Sequence, residues 1–93
     1  MLDIKVLGPG CVNCERLFRT VVAALEDLEA RLGDDCPEVT LQHVTDYAEF
    51  MKYKLLFTPG LVINEKLVSA GRVPSKAEVM AWITKAVAEA RAV

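Results

Sequence analysis

The sequence predicts an α/β fold in the order strand, helix, strand, helix, strand, strand, helix (βαβαββα), with a four-stranded mixed sheet and helices on both faces. Three observations lead to it. Apolar residues cluster or alternate over residues 4–7 and 39–44, whereas in the segment between them they recur every three or four residues, the helical period. Asp46 with Glu49, and Ser75 with Glu78, have the spacing of a capping box, in which side chains satisfy unpaired N–H groups at a helix start. Late in the chain two short apolar runs flank Asn64-Glu65, the pattern of an antiparallel hairpin. A strand, a helix and a second strand imply a right-handed parallel crossover, so strands 1 and 2 are expected to be parallel and the hairpin antiparallel to them.

The first strand ends at Leu7, and the chain turns on Gly8-Pro9-Gly10. The first helix is expected over about residues 13–32, where Leu17, Phe18, Val21, Val22, Leu25, Leu28 and Leu32 form one stripe, and Gly33 stops it. Arg16, Arg19, Glu26, Asp27 and Glu29 fall mostly off that stripe and make a solvated face. A loop through Asp34-Asp35-Cys36-Pro37 leads to the second strand, 39–44, and then to a short second helix, about 47–53, ending near Lys54. The hairpin strands are 61–63 and 66–69. Glu65 stands where glycine usually takes the positive φ of a tight turn, which favours a loop longer than two residues. After Ser75 the last helix buries Val79, Met80, Ile83, Ala86, Val87 and Ala90, with Trp82 half-buried beside them.

Ninety-three residues are read as one domain, residues 1–93, with a single core. Apolar residues at 53% and charged residues at 26% are ordinary for a globular protein, and no repeat, low-complexity tract or charge block interrupts them. A net charge of -2 and a pI of 5.3 argue against nucleic acid or an anionic membrane surface, so the expected partners are proteins. The chain opens directly on a strand and holds no membrane-length apolar run, so a cytoplasmic protein is expected, and the expected state is a monomer.

Three cysteines, two of them in Cys11-Val12-Asn13-Cys14, do not make a secreted disulfide framework; they point to chemistry. Residues three apart at a helix start are neighbours, close enough for a short reversible disulfide. The unpaired N–H groups and partial positive charge there favour the thiolate of Cys11, the expected nucleophile. Cys14, one turn further in and less exposed, is placed to resolve a mixed disulfide formed on Cys11. Cys36 follows a first helix of roughly 30 Å, lies at the opposite end and is read as an inert loop thiol. His43, the only histidine, is read as a structural residue of the second strand next to the second helix.

The strand-Cys-x-x-Cys-helix start, Thr58-Pro59 before the hairpin and Gly71-Arg72-Val73-Pro74 before the last helix together resemble the thioredoxin-like superfamily. Over residues 2–88 the chain is most similar to the short prokaryotic redox-active disulfide proteins, of glutaredoxin size. The resemblance implies a minimal thioredoxin fold and a protein thiol–disulfide oxidoreductase with no cofactor of its own, fed by a flavin-dependent reductase of the thioredoxin-reductase type and acting on protein disulfides. It also implies that Pro59 is a cis-proline packed against the active disulfide, with Thr58 offering backbone groups to an extended substrate segment. Thioredoxins proper carry Trp before the CxxC and a buried acid in the preceding strand. Here Gly10 and Lys5 stand there, so the proton acceptor for Cys14 is unassigned.

Two thiolates on a loop also suit a soft ion such as Cu(I), the alternative function; a structural zinc site lacks paired further ligands, since only Cys36 and His43 remain. Client binding is expected at Gly10, Val12, Phe57, Thr58 and Pro59. Pro9, Val12, Phe57, Pro59 and Val73 are expected to form an uncharged apolar platform around Cys11.

Overall fold

In the computed structural model, which describes residues 2–10, 12–55 and 57–91 with the side chains of 90 and 91 excepted, β1 (Leu2–Leu7) is flanked on both edges and covered on both faces. It pairs in parallel with β2 (Val39–Val44) and antiparallel with β3 (Gly60–Ile63), and β3 pairs antiparallel with β4 (Lys66–Ala70), giving the order β2-β1-β3-β4. The mixed four-stranded sheet and βαβαββα order of a minimal thioredoxin fold are therefore present.

Strand alternation sorts the core into two layers. Leu2, Ile4 and Val6 of β1, with Leu61 and Ile63 of β3, face α1 (Val12–Leu32) and α3 (Lys76–Arg91). Leu17, Val21, Ala24 and Leu28 of α1 and Val79, Ile83, Ala86 and Val87 of α3 complete that layer. Leu7 and Val62 face the other way, onto Phe50 of α2 (Tyr47–Lys52) and Leu55. Each wholly buried Leu, Ile or Val contributes about 1.5–3 kcal/mol, so these two layers, rather than surface ion pairs, hold the helices to the sheet. Met80, Trp82, Phe18, Leu25 and Leu32 pack at the margin of the larger layer; Ala90, expected on the same stripe, lies outside the described side chains.

Gly33, at φ +55°, ends α1 in a short 3-10 turn. Both expected capping boxes form by half. Asp46 accepts from the Ala48 N–H at 2.9 Å and Ser75 from the Glu78 N–H at 3.2 Å. Glu49 and Glu78, expected to reach back, pair instead with Lys52 at 2.9 Å and Arg72 at 2.8 Å.

The hairpin departs from expectation. Ile63 pairs with Lys66, so the loop is two residues, with Asn64 at φ 49° and Glu65 at φ 69° as a type I′ turn requires. A non-glycine residue in that region costs about 1–2 kcal/mol, and tertiary contacts offset it. The Asp3 N–H donates to Asn64 Oδ1 at 2.8 Å, and the Asn64 N–H donates to the Asp3 carbonyl at 2.7 Å. The Glu65 carboxylate accepts from the Tyr53 hydroxyl at 2.6 Å and from Lys5 Nζ at 3.2 Å. Lys5 also donates to the Tyr53 oxygen at 3.1 Å, and with Glu65 this raises its pKa above the usual lysine range.

Hydrogen bonds from Tyr53 first and Lys5 second hold the Glu65 carboxyl below the usual glutamate range. A depressed carboxyl stabilises the fold above its unfolded pKa of about 4.3 and loses that contribution as pH falls through the folded value. Glu65→Gln is therefore expected to lower Tm at pH 7, with the gap to the parent closing as the pH is taken well below 4.3. Thermal unfolding at the two pH extremes checks it, and an equal gap at both would show that the charge is not the source.

Candidate functional site

Three strand pairings end at one edge of the sheet. Leu7 lies opposite both Val44 and Gly60, and Gly60 lies opposite Ala70. The segments that continue beyond these residues, 8–10, 57–59 and 71–74, are thereby brought together with the start of α1.

Gly8 is the hinge of this cluster. Its N–H donates to the Val44 carbonyl at 3.0 Å and its carbonyl accepts from His43 Nε2 at 3.2 Å. A Cβ built on Gly8 would overlap Cys14 Sγ, and would lie 3.4 Å from Cys14 Cβ and 3.8 Å from Thr58 Cβ. The absence of a side chain at residue 8 is therefore what lets the first turn of α1 close against the 57–59 segment. Cys14, the third residue of α1, is wholly buried.

Opposite it, the Thr58–Pro59 peptide is cis, as the family resemblance implies. Pro59 is wholly buried, and its carbonyl accepts from the Gly71 N–H at 2.9 Å. Gly71 adopts φ +75°, and a Cβ on it would come within 3.0 Å of Phe57 Cβ, so a larger residue at 71 is strained by its backbone and crowded by its neighbour.

Of the residues expected to form the site, Cys14 and Thr58 thus meet around Gly8, with Pro59 next in the chain after Thr58. Gly10, at φ +98°, and Thr58 are exposed; Val12 is 66% and Phe57 71% exposed. Cys11, the expected nucleophile, lies outside the described residues. The expected apolar platform is smaller than the sequence implied. Pro9, Val12 and Phe57 face solvent, whereas Pro59 is buried where it enters the fully buried strand β3, and Val73 packs onto the larger core ahead of the buried Pro74.

Lys5, at the place of the missing acid, points to the α2 face and is taken up by Tyr53 and Glu65. Lys54 is exposed. Cys36 is half-buried at the core margin beyond the far end of the 21-residue α1. Among the described residues, no three His, Cys, Asp or Glu side chains converge as a metal site would require, and no helix is long and apolar enough to cross a membrane.

His43 lies in β2, the strand before the second helix, as expected; its ring lies 6.2 Å from that of Phe18 on α1, and its Nε2 reaches the loop before the CxxC. The signal was its place next to the end of β2. In parallel register that sets it opposite Val6, on the same face as α1.

Comparison with known proteins agrees with this arrangement. A family profile described as a thioredoxin domain matches residues 2–84. A thioredoxin of Methanocaldococcus jannaschii is 30% identical over 79 residues, covering 85% of this chain and 83% of the relative. A thioredoxin of Methanothermobacter thermautotrophicus is 29% identical over 79 residues, covering 85% and 94%.

Proposed function

Since the chain belongs to the thioredoxin domain family, we propose that residues 1–93 act as a single-domain protein thiol–disulfide oxidoreductase, a cytoplasmic monomer working through Cys11 and Cys14. The Cys11 thiolate attacks one sulfur of a client disulfide, forming a mixed disulfide and expelling the first client thiolate, which takes a proton. The Cys14 thiolate then attacks the Cys11 sulfur, closing the Cys11–Cys14 disulfide and releasing the second client thiolate. The client gains two electrons and the protein loses two, to be returned by a flavin-dependent reductase of the thioredoxin-reductase type. The exchange is reversible, and the potential of the pair sets its direction.

The observation that supports this reading is the meeting of buried Cys14, Gly8 and Thr58 beside a cis Thr58–Pro59 peptide. In this reading Cys14 is the resolving thiol and the exposed backbone at Thr58 is the segment that an extended client follows. Among the described residues no third donor for a soft ion accompanies it. A coupled assay with a flavin reductase and a protein disulfide tests the function. Turnover that needs all three components supports it, and failure of the oxidised protein to form a Cys11–Cys14 disulfide would sink it.

Phe57, Val12 and Pro9 form the apolar rim to which a client docks. Because Phe57 is 71% exposed, Phe57→Ser is expected to leave Tm nearly unchanged. Truncating an interface anchor costs about 1 kcal/mol or more, roughly fivefold in rate. Reduction of a protein disulfide should slow by that factor, while reduction of a small disulfide reagent keeps its rate. Equal slowing of both would remove Phe57 from the docking surface.

A further inference from the structure

We infer that His43 is a positioning residue for the redox loop, holding the Gly8 carbonyl so that Cys14 keeps the orientation from which it resolves a mixed disulfide; this rests on the thiol–disulfide reading above. In a continuing parallel ladder, a strand residue that donates to one carbonyl of its neighbour accepts from the N–H two residues further along. Gly8 donates to Val44, so its carbonyl would be due the Asp46 N–H. But β2 ends at Val44, and at Asp46 the chain turns into α2. The carbonyl is met instead by His43 Nε2 at 3.2 Å. A carbonyl oxygen only accepts, so Nε2 carries the hydrogen in this contact.

The following residue is Pro9, which has no N–H, so the Gly8–Pro9 peptide cannot anchor itself through its nitrogen. The orientation of that peptide plane rests on the histidine. It matters because Gly8 Cα lies directly against Cys14 Sγ: a rotation of the residue moves the wall that fixes the sulfur. The imidazole is itself held. Its ring leans on Phe18, and together with Glu15 and Arg19 these two rings line a cleft of about 180 Å³ beside the first turns of α1. The cleft leaves the imidazole accessible along one side, so its substitution does not open the core.

The test uses two variants of the full chain. His43→Phe keeps a flat ring beside Phe18 and removes the donor, while His43→Gln places an amide N–H at similar reach. One hydrogen bond is worth up to about a tenfold change in an equilibrium or rate. His43→Phe is expected to slow release of a client from the Cys11 mixed disulfide by about that factor, with the first attack by Cys11 and the Tm unchanged, and His43→Gln to restore most of the rate. Wild-type release in His43→Phe, equal slowing in both variants, or equal slowing of the first and second steps would overturn the role of His43 alone. Absence of any Cys11–Cys14 disulfide in the parent protein would overturn the functional reading and this inference together.

Discussion

Cys11→Ser is expected to abolish disulfide reduction, and Cys14→Ser to stop the reaction half-way, with the client covalently held on Cys11. The asymmetry follows from burial. Cys14 is wholly buried against Gly8, with Thr58 alongside, so a bulky client disulfide has no direct access to its sulfur. In the proposed reaction Cys11 therefore makes the first attack and Cys14 completes it. Cys36, beyond the far end of α1, cannot substitute for either, since a helix of 21 residues puts about 30 Å between them. Denaturing gels without reductant should show a client adduct with Cys14→Ser that vanishes on adding dithiothreitol, and none with Cys11→Ser. Replacing the thiol by a hydroxyl alters a wholly buried site, so Tm is followed in parallel; a trapped adduct at a modestly lowered Tm meets the expectation. Continued turnover by Cys11→Ser would reverse the assignment of the two thiols.

Much of this arrangement was legible in the sequence because it depends on local signals. The 13–32 stripe, the Gly33 stop and the Asp46 and Ser75 caps are read within one or two turns of chain, and the order of periods fixes a strand–helix–strand crossover of one hand. The CxxC and the Thr58-Pro59 pair were legible as well, since each is contiguous. What escaped depends on register between distant segments. The two-residue hairpin is permitted by contacts from Lys5 and Tyr53 to Glu65, and nothing near residue 65 announces them. His43 meets Gly8 across 35 positions because Val6 pairs with it in the ladder, and alternation alone states which residues share a face without saying which helix covers that face. The burial of Pro59 and the half-burial of Val73 have the same origin: a segment that looks like an exposed loop by composition is pulled inward by the buried strand or proline that follows it.

Gly8→Ala is expected to disable the resolving step more severely than any change at an exposed site residue. The added methyl would coincide with the volume of Cys14 Sγ and press on Cys14 Cβ at 3.4 Å, and Gly8 is itself buried, so the sulfur must leave its position. Overpacking of this kind costs about 1–3 kcal/mol in stability, and a misplacement of about 1 Å at a reacting atom costs on the order of 10²-fold in rate. Backbone freedom is not the cause, because Gly8 does not occupy the left-handed region. Gly10 does, at φ +98° with nothing within 4 Å of a new Cβ, so Gly10→Ala provides the comparison: strain without collision, a loss of about 1–2 kcal/mol, and Cys14 left in place. A double-mutant cycle on stability separates the two effects. Cys14→Ala removes the sulfur that Gly8→Ala strikes, so the double variant should be more stable than the sum of the single losses predicts, whereas Gly10→Ala and Cys14→Ala should simply add. Additivity in the Gly8 cycle would mean that residue 8 does not set the position of the Cys14 sulfur, and would remove the contact on which the geometry of the resolving step depends.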